Sequence, residues 1–417
     1  MASKRATSAL TRVGASLGLA MMLVTSARGA VAETVLHSFT RFPDGHHPRA
    51  TLIFDPAGDL YGTTSDGGTN NSGTVFELTP SSSGWTESVF YSFCSADLCS
   101  DGSSPLGPMV LDAAGNLYGV TYNGGANGFG AVFELVHSSN GWTESVLYSF
   151  EDGNSDGANP IGGLIFDSGG NLYGTTDYGG TNNFGTVFEL RHSSGGWTES
   201  VLYRFTGGSD GGNPVGGVVL DHEGNLYGTT YGGGASFGGT VFELTPGSAG
   251  WTESALYSFT GSIDGSGPSA GLVLDGQGNL YGTTHYGGAH TFGNVFELTP
   301  TSGGWTETVL FNFRRHSGVY SDAGVILDKA GNLYGTTTEF GAHNFGTVFE
   351  LTPSQGGWAE RVLYAFGGDA KYGASPDAGL TLDAVGNLYG TTEFGGDTHC
   401  HPPNGCGTVF ELLRSSF

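Results

Sequence analysis

The residues best suited to chemistry are unevenly placed. Eight of the twelve histidines fall in a few short stretches: His46 and His47, His285 and His290, His316, His343, and His399 with His401. Arg41, Arg49, Arg314, Arg315 and Lys371 share those stretches, as do Glu339, Glu393 and Asp397. Guanidinium and ammonium groups hold acidic ligands, and imidazole moves protons near neutral pH. His46, His285, His343, Arg314, Arg315 and Lys371 therefore read as a polar ligand set, suited to an anionic sugar or another acidic group. Glu339 and Glu393 are the carboxylate pair that a glycoside hydrolase or a polysaccharide lyase would need, with His316 as a proton-transfer partner. Rings recur beside them at Tyr122, Tyr178, Tyr231, Tyr286, Phe340 and Phe394. Of these, Tyr178, Tyr286, Phe340 and Phe394 are expected to stack on a sugar; the alternative is packing under Gly-rich loops. The whole polar set has its own alternative, loop drift between unequal repeats.

Three shorter motifs compete for attention. Asp152, Asn154 and Asp156 spell the first half of a calcium loop, but Gly163 stands where the closing Glu belongs. Calcium is the one cofactor the sequence suggests. His399, Cys400, His401 and Cys406 have metal-ligand types, yet two close cysteine pairs in an exported chain predict the disulfides Cys94–Cys99 and Cys400–Cys406. Gly234–Gly238 spells G-x-S-x-G, but in a loop rather than a strand-to-helix elbow, so no nucleophile is expected there.

What must position these residues is a repeat. LYGTT followed by TVFEL begins at Leu60, Leu117 (as LYGVT), Leu172, Leu226, Leu280, Leu333 and Leu388, a spacing of 53 to 57 residues. Such a period means a solenoid, a propeller or an array. In the third unit, turn residues separate four strands: Gly163–Asp167, Leu172–Thr176, Gly185–Leu190 and Trp197–Phe205. Four antiparallel strands per unit is a propeller blade. The ends supply the closure. Glu33–Phe39 (ETVLHSF) copies the fourth-strand pattern TESVLYSF, and the seventh unit stops after its third strand. The prediction is an all-β, seven-bladed β-propeller over residues 33–417, closed by the N-terminal strand completing blade 7. The repeated Asp167, Tyr173, Glu189 and Trp197 and their counterparts are expected to be scaffold. Loops joining second to third and fourth to first strands then share one face, with the histidines and arginines gathered there on blades 5, 6, 7 and 1 and the rings spread over blades 2 to 7.

The motif LYGTT-x-x-GG, then GTVFEL, then GGWTE resembles the GloVer tandem repeat of bacterial exported proteins, across nearly all of the chain after the leader. The resemblance implies export and repeat architecture, and it brings no activity with it. Members carry varied surface anchors near the C-terminus, a tail not expected after Phe417.

Composition agrees with this. Residues 1–32 read as a signal peptide: Lys4, Arg5 and Arg12, an apolar run from Val13 to Val24, and Ala30-Val31-Ala32 as the cleavage site. Removing Lys4, Arg5, Arg12 and Arg28 leaves 10 basic residues against 39 acidic ones, a net charge of about −29. Such a surface excludes nucleic acid as a partner. No later apolar run reaches the ~20 residues of a membrane helix. The sequence thus predicts a secreted or periplasmic monomer, a binding or interaction module for carbohydrate, a cell-surface polymer or a surface protein, with an enzyme or a purely adhesive protein as alternatives.

Overall fold

The computed structural model describes residues 31, 33–40, 42–139, 141–368 and 372–414. Seven four-stranded antiparallel sheets form a ring, a seven-bladed β-propeller. In blade 1 the strands are Ile53–Phe54, Leu60–Thr64, Thr74–Ser81 and Gly84–Ser92, in that order from the axis outward. The second strand, LYGTT, is buried at every residue because neighbouring blades cover both its faces. The fourth strand alternates exposed and half-buried positions along Gly84–Glu87, as an outer edge facing solvent should.

The repeat's glycine has a packing reason. A Cβ on Gly62 would lie 2.5 Å from Phe76 Cζ, and each LYGTT glycine meets the Phe of its own TVFEL in this way. Those phenylalanines also join the blades. Phe39, Phe93, Phe150, Phe205, Phe259, Phe313 and Phe366 end the fourth strands and meet the next blade's Phe edge-on at 5.0–5.3 Å. All are buried, so the core runs as interblade layers. The tryptophans stitch the outer layer, Trp142 standing over Tyr61 of the preceding blade.

Ring closure follows the expected exchange. Glu33–Ser38 pairs with Thr408–Leu412, from Glu33 opposite Leu412 to Ser38 opposite Thr408. The pair even keeps the bulge of the other blades: Leu36 is skipped here as Phe90 is in blade 1. Val31 takes the place that a tryptophan holds in the other fourth strands, buried in one cluster with Tyr334, Leu363 and Leu412. The rest of the predicted leader lies outside the described residues.

Strand limits differ from the sequence reading in one informative way. The first strand of blade 3 shrinks to Ile165–Phe166, while the second extends to Gly179 because Gly157–Pro160 pairs with it. Equivalent bridges, such as Gly45 with Gly67 and Val319 with Glu339, tie the fourth-to-first loop of each blade to its second-to-third loop. One loop face is thereby built as paired backbone. The repeated acids are scaffold. Asp167 accepts hydrogen bonds from the Gly169 and Asn171 amides at 2.8 Å, and the Tyr173 hydroxyl donates to Glu189 at 2.9 Å.

Candidate functional site

The seven first strands surround an axial channel of about 1020 Å³, walled by small and aliphatic residues such as Gly162, Leu164, Gly216, Val218 and Leu272. The residue five places after each loop's Asp-Gly aspartate, or its equivalent, reaches the channel from every blade. In order these are Arg49, Leu106, Ile161, Val215, Ser269, Asp322 and Asp377. A second set follows each second strand: Ser65, Tyr122, Asp177, Tyr231, His285, Thr338 and Glu393. Two pairs from these sets bond across a blade boundary. His285 Nδ1 lies 2.5 Å from Asp322 Oδ1, and the Arg49 guanidinium donates to Glu393. Arg49 Nε also lies 3.7 Å from Asp377.

The charges of this cluster are coupled. Burial, then repulsion from Asp322, pushes the Asp377 carboxyl up to about 7, and a hydrogen bond joins the two acids. Asp377 therefore keeps its proton to higher pH than an exposed carboxyl does. Burial opposes the Arg49 charge, yet Glu393 and Asp377 outweigh it and hold Arg49 above its ordinary value. Across the channel, burial raises Asp177 although Asn213 Nδ2 donates to it at 3.1 Å. Tyr178 and Tyr231 line the opening, each about two-fifths exposed. Tyr231 shares a hydrogen bond with Tyr286. The mouth therefore offers carboxyl, imidazole and phenol groups, with its guanidinium already matched by two acids. Hydroxyl-rich ligands suit it better than anions.

The profile of the Gloeobacter/Verrucomicrobia repeat matches residues 18–207, 138–332 and 303–416. The chain belongs to this repeat family. No curated protein matches it. Solved structures similar to it include a proposed oxidoreductase (glucose dehydrogenase) from Thermus thermophilus, 16% identical, with a TM-score of 0.42 over 92% of this chain and 100% of that one. Another is a proposed 6-phosphogluconolactonase from Bacteroides uniformis, 16% identical, with a TM-score of 0.48 over 80% of this chain and 88% of that one.

Within this member of the Gloeobacter/Verrucomicrobia repeat family, the residues singled out by sequence separate into three groups. Glu393, His285 and Tyr178 meet at or beside the channel mouth, and Tyr286 packs against His285 with ring centroids 4.2 Å apart. Glu339, His316, His343 and Arg314 are exposed on the outer loops, and Glu339 is not among the mouth residues that include Glu393. Arg315 lies over the Phe340 and Phe292 rings at 5.0 and 5.9 Å. Phe394 packs on His47, at 5.5 Å, beside His46. Lys371 and Arg41 lie outside the described residues. Both disulfides form, Cys94–Cys99 and Cys400–Cys406. Asp156 accepts from the Tyr148 hydroxyl and from the Glu151 and Gly157 amides, the cap role that Asp210 and Asp264 play in later blades. Asp152 and Asn154 stand on the loop above it.

Asp322, Asp377, Asp177 and Asn213 escaped the sequence reading. Their signal was present: Asp322 and Asp377 fill a repeat position that holds Leu106, Ile161 and Val215 elsewhere. Motif searching passes over a lone charge in an apolar column, whereas the ring brings the columns together.

Proposed function

We propose that the protein is an exported binding module that takes an uncharged carbohydrate, part of an extracellular glycan or cell-surface polymer, at the channel mouth. The observation that carries this reading is the polar arc of Arg49, Glu393, Asp377, Asp322 and His285, which shares one opening with the Tyr178 and Tyr231 rings. Carboxylates and phenols bond sugar hydroxyls, and the rings cover apolar sugar faces. Export is supported by the leader pattern of residues 1–32 and by two disulfides. No helix among the described residues is long and apolar enough to cross a membrane.

A glycan-array screen of the exported protein, with and without calcium, tests this. Binding is expected to fall at least tenfold in Glu393→Gln and in Tyr231→Ala, and to be unchanged in Glu339→Gln. Calcium dependence would bring in Asp152, Asn154 and Asp156. No binding to any glycan, or binding indifferent to both mouth changes, sinks the carbohydrate reading and leaves a structural or protein-binding role.

One observation favours a second reading, cleavage of a polysaccharide. Burial holds the Asp377 carboxyl above the usual carboxylate range, the direction a general acid needs, and Glu393 stands on the other side of the Arg49 guanidinium as a second carboxyl at the same opening. New reducing ends released from a bound glycan, lost in Asp377→Asn while binding persists, would establish it. Binding without product excludes it.

A further inference from the structure

Outside the channel mouth, blade 1 carries a cluster with no counterpart in the other six. His46 Nδ1 lies 3.3 Å from His47 Nδ1, and His47 Nδ1 lies 3.2 Å from Asp66 Oδ2. One ligand atom from each of the three residues lies within 4.8 Å of the other two. The backbone that assembles them is common to the repeat, since His46 pairs with Asp66 as Ser266 pairs with Tyr286. His47 has φ +55°, matched by Ser104, Asn159, Asn213, Tyr320 and Ser375 at +53° to +58°. Only the side chains differ. Blade 2 has Ser103, Ser104 and Asn123 at the three positions, and blade 3 has Ala158, Asn159 and Tyr178.

Two ring nitrogens and a carboxylate oxygen crowd together here. His46 Nε2 faces Asn71 Oδ1 at 3.3 Å. His47 Nδ1 carries at most one proton and faces both His46 Nδ1 and the Asp66 carboxylate. Ser65 Oγ donates to Asp66 Oδ2, at 2.7 Å. Packing fixes the His47 ring, edge-on to Phe394 and His401 at 5.5 Å each, and its Nε2 is buried without a hydrogen-bond partner.

We propose that His46, His47 and Asp66 bind a divalent transition-metal ion of the zinc class. Two ligand atoms held 2.0–2.1 Å from a tetrahedral zinc ion stand about 3.3 Å apart, which matches the two separations here. Two imidazoles and a carboxylate are borderline ligands that suit zinc rather than calcium or magnesium. Asn71 on His46 and Ser65 on Asp66 supply the outer hydrogen bonds that orient such ligands. A depression of about 430 Å³ bordered by Phe42, His46, Gly68 and Asn71 gives an approach from solvent, leaving the fourth position for water or a ligand atom. The cluster His37, Asp44 and Glu87 is different in kind. Its Asp44 already accepts from Thr40, and His37 replaces a tyrosine that bonds the equivalent Asp in other blades.

The test uses untagged, full-length exported protein stripped with a chelator, then titrated with zinc and with cobalt. One equivalent of zinc is expected, and cobalt should give the visible bands of a tetrahedral site. His47→Ser and Asp66→Asn install residues that blade 2 already carries, so both should fold, with melting temperatures in chelator equal to the parent's. Each should abolish the cobalt bands and weaken zinc binding beyond the about 10–100-fold that losing an outer partner costs. Asn71→Ala should fall within that range, and His37→Tyr should change nothing. No zinc uptake by the parent chain, or uptake unaltered by His47→Ser and Asp66→Asn, overturns the proposal.

Discussion

The two halves of the channel mouth share one backbone and differ in almost everything else. Blades 2, 3 and 4 present Leu106, Ile161 and Val215, while blades 6, 7 and 1 present Asp322, Asp377 and Arg49 from the same ring of positions. The apolar column repeats what packing requires, with Asp177 of blade 3, bonded to Asn213 of blade 4, as the polar exception beside it. The polar half places Asp377 where burial disfavours its charge, with Arg49 bonded to Glu393 beside it and His285 bonded to Asp322. A buried acid in a column that other blades fill with Leu, Ile or Val is the group to test for ligand binding.

The largest effect should come from breaking the frame that both halves share. Deleting Glu33–Phe39 removes the fourth strand of blade 7 and exposes the edge of Thr408–Leu412. The expected product is aggregated protein, checked by size-exclusion chromatography; a folded monomer would refute closure as the source of stability. Phe39→Ala is the milder form, expected to cost about 3–5 kcal/mol in denaturant unfolding because Phe39 is fully buried against Phe76.

Next comes the polar half alone. Arg49→Ala leaves Glu393 and Asp377 without their cation and should cost about 1–3 kcal/mol, and the Asp377 titration, followed by NMR, should move further up. Asp377→Val goes the other way by copying Val215 of blade 4. Removing a carboxyl that burial disfavours should be neutral or add about 1 kcal/mol, while ligand binding at the mouth is lost. A loss of both stability and binding would show that the acid is structural.

The smallest effect is spread over both halves. Glu87, Glu144, Glu199, Glu253 and Glu307 on the fourth strands are pushed up to about 7, first by burial and then by the cap aspartates Asp44, Asp101, Asp156, Asp210 and Asp264. Their ordinary value is 4.5. The folded chain therefore binds more protons than the unfolded chain between pH 4.5 and 7, and stability falls as pH rises through that window. Melting temperatures should be higher at pH 5.5 than at pH 7.5. Changing Glu199 to Gln should flatten the difference, and a flat parent profile would show that solvent screens these acids.

The architecture was legible because a repeat states its packing problem seven times. LYGTT needs a glycine under the TVFEL phenylalanine, the turn needs Asp167 and its counterparts, and ETVLHSF betrays its role by copying a strand missing 370 residues later. The loop face and its histidine-rich blades were legible too, since loop connectivity follows from strand order. The site itself was only half visible. Glu393, His285 and Tyr178 stood out by type, whereas Asp322 and Asp377 each looked like one acid in an acidic chain.

The sequence by itself determined the blades, their number and the exchange that closes the ring, because local propensity, period-2 burial and interblade packing are set within each repeat. Tertiary structure alone decided the partners. Whether Glu393 meets Glu339 or Arg49, and whether His47 meets Asp66, depends on how adjacent loops lean across a blade boundary. There, distances of a few ångströms decide which charges couple, and separation along the chain carries no record of them.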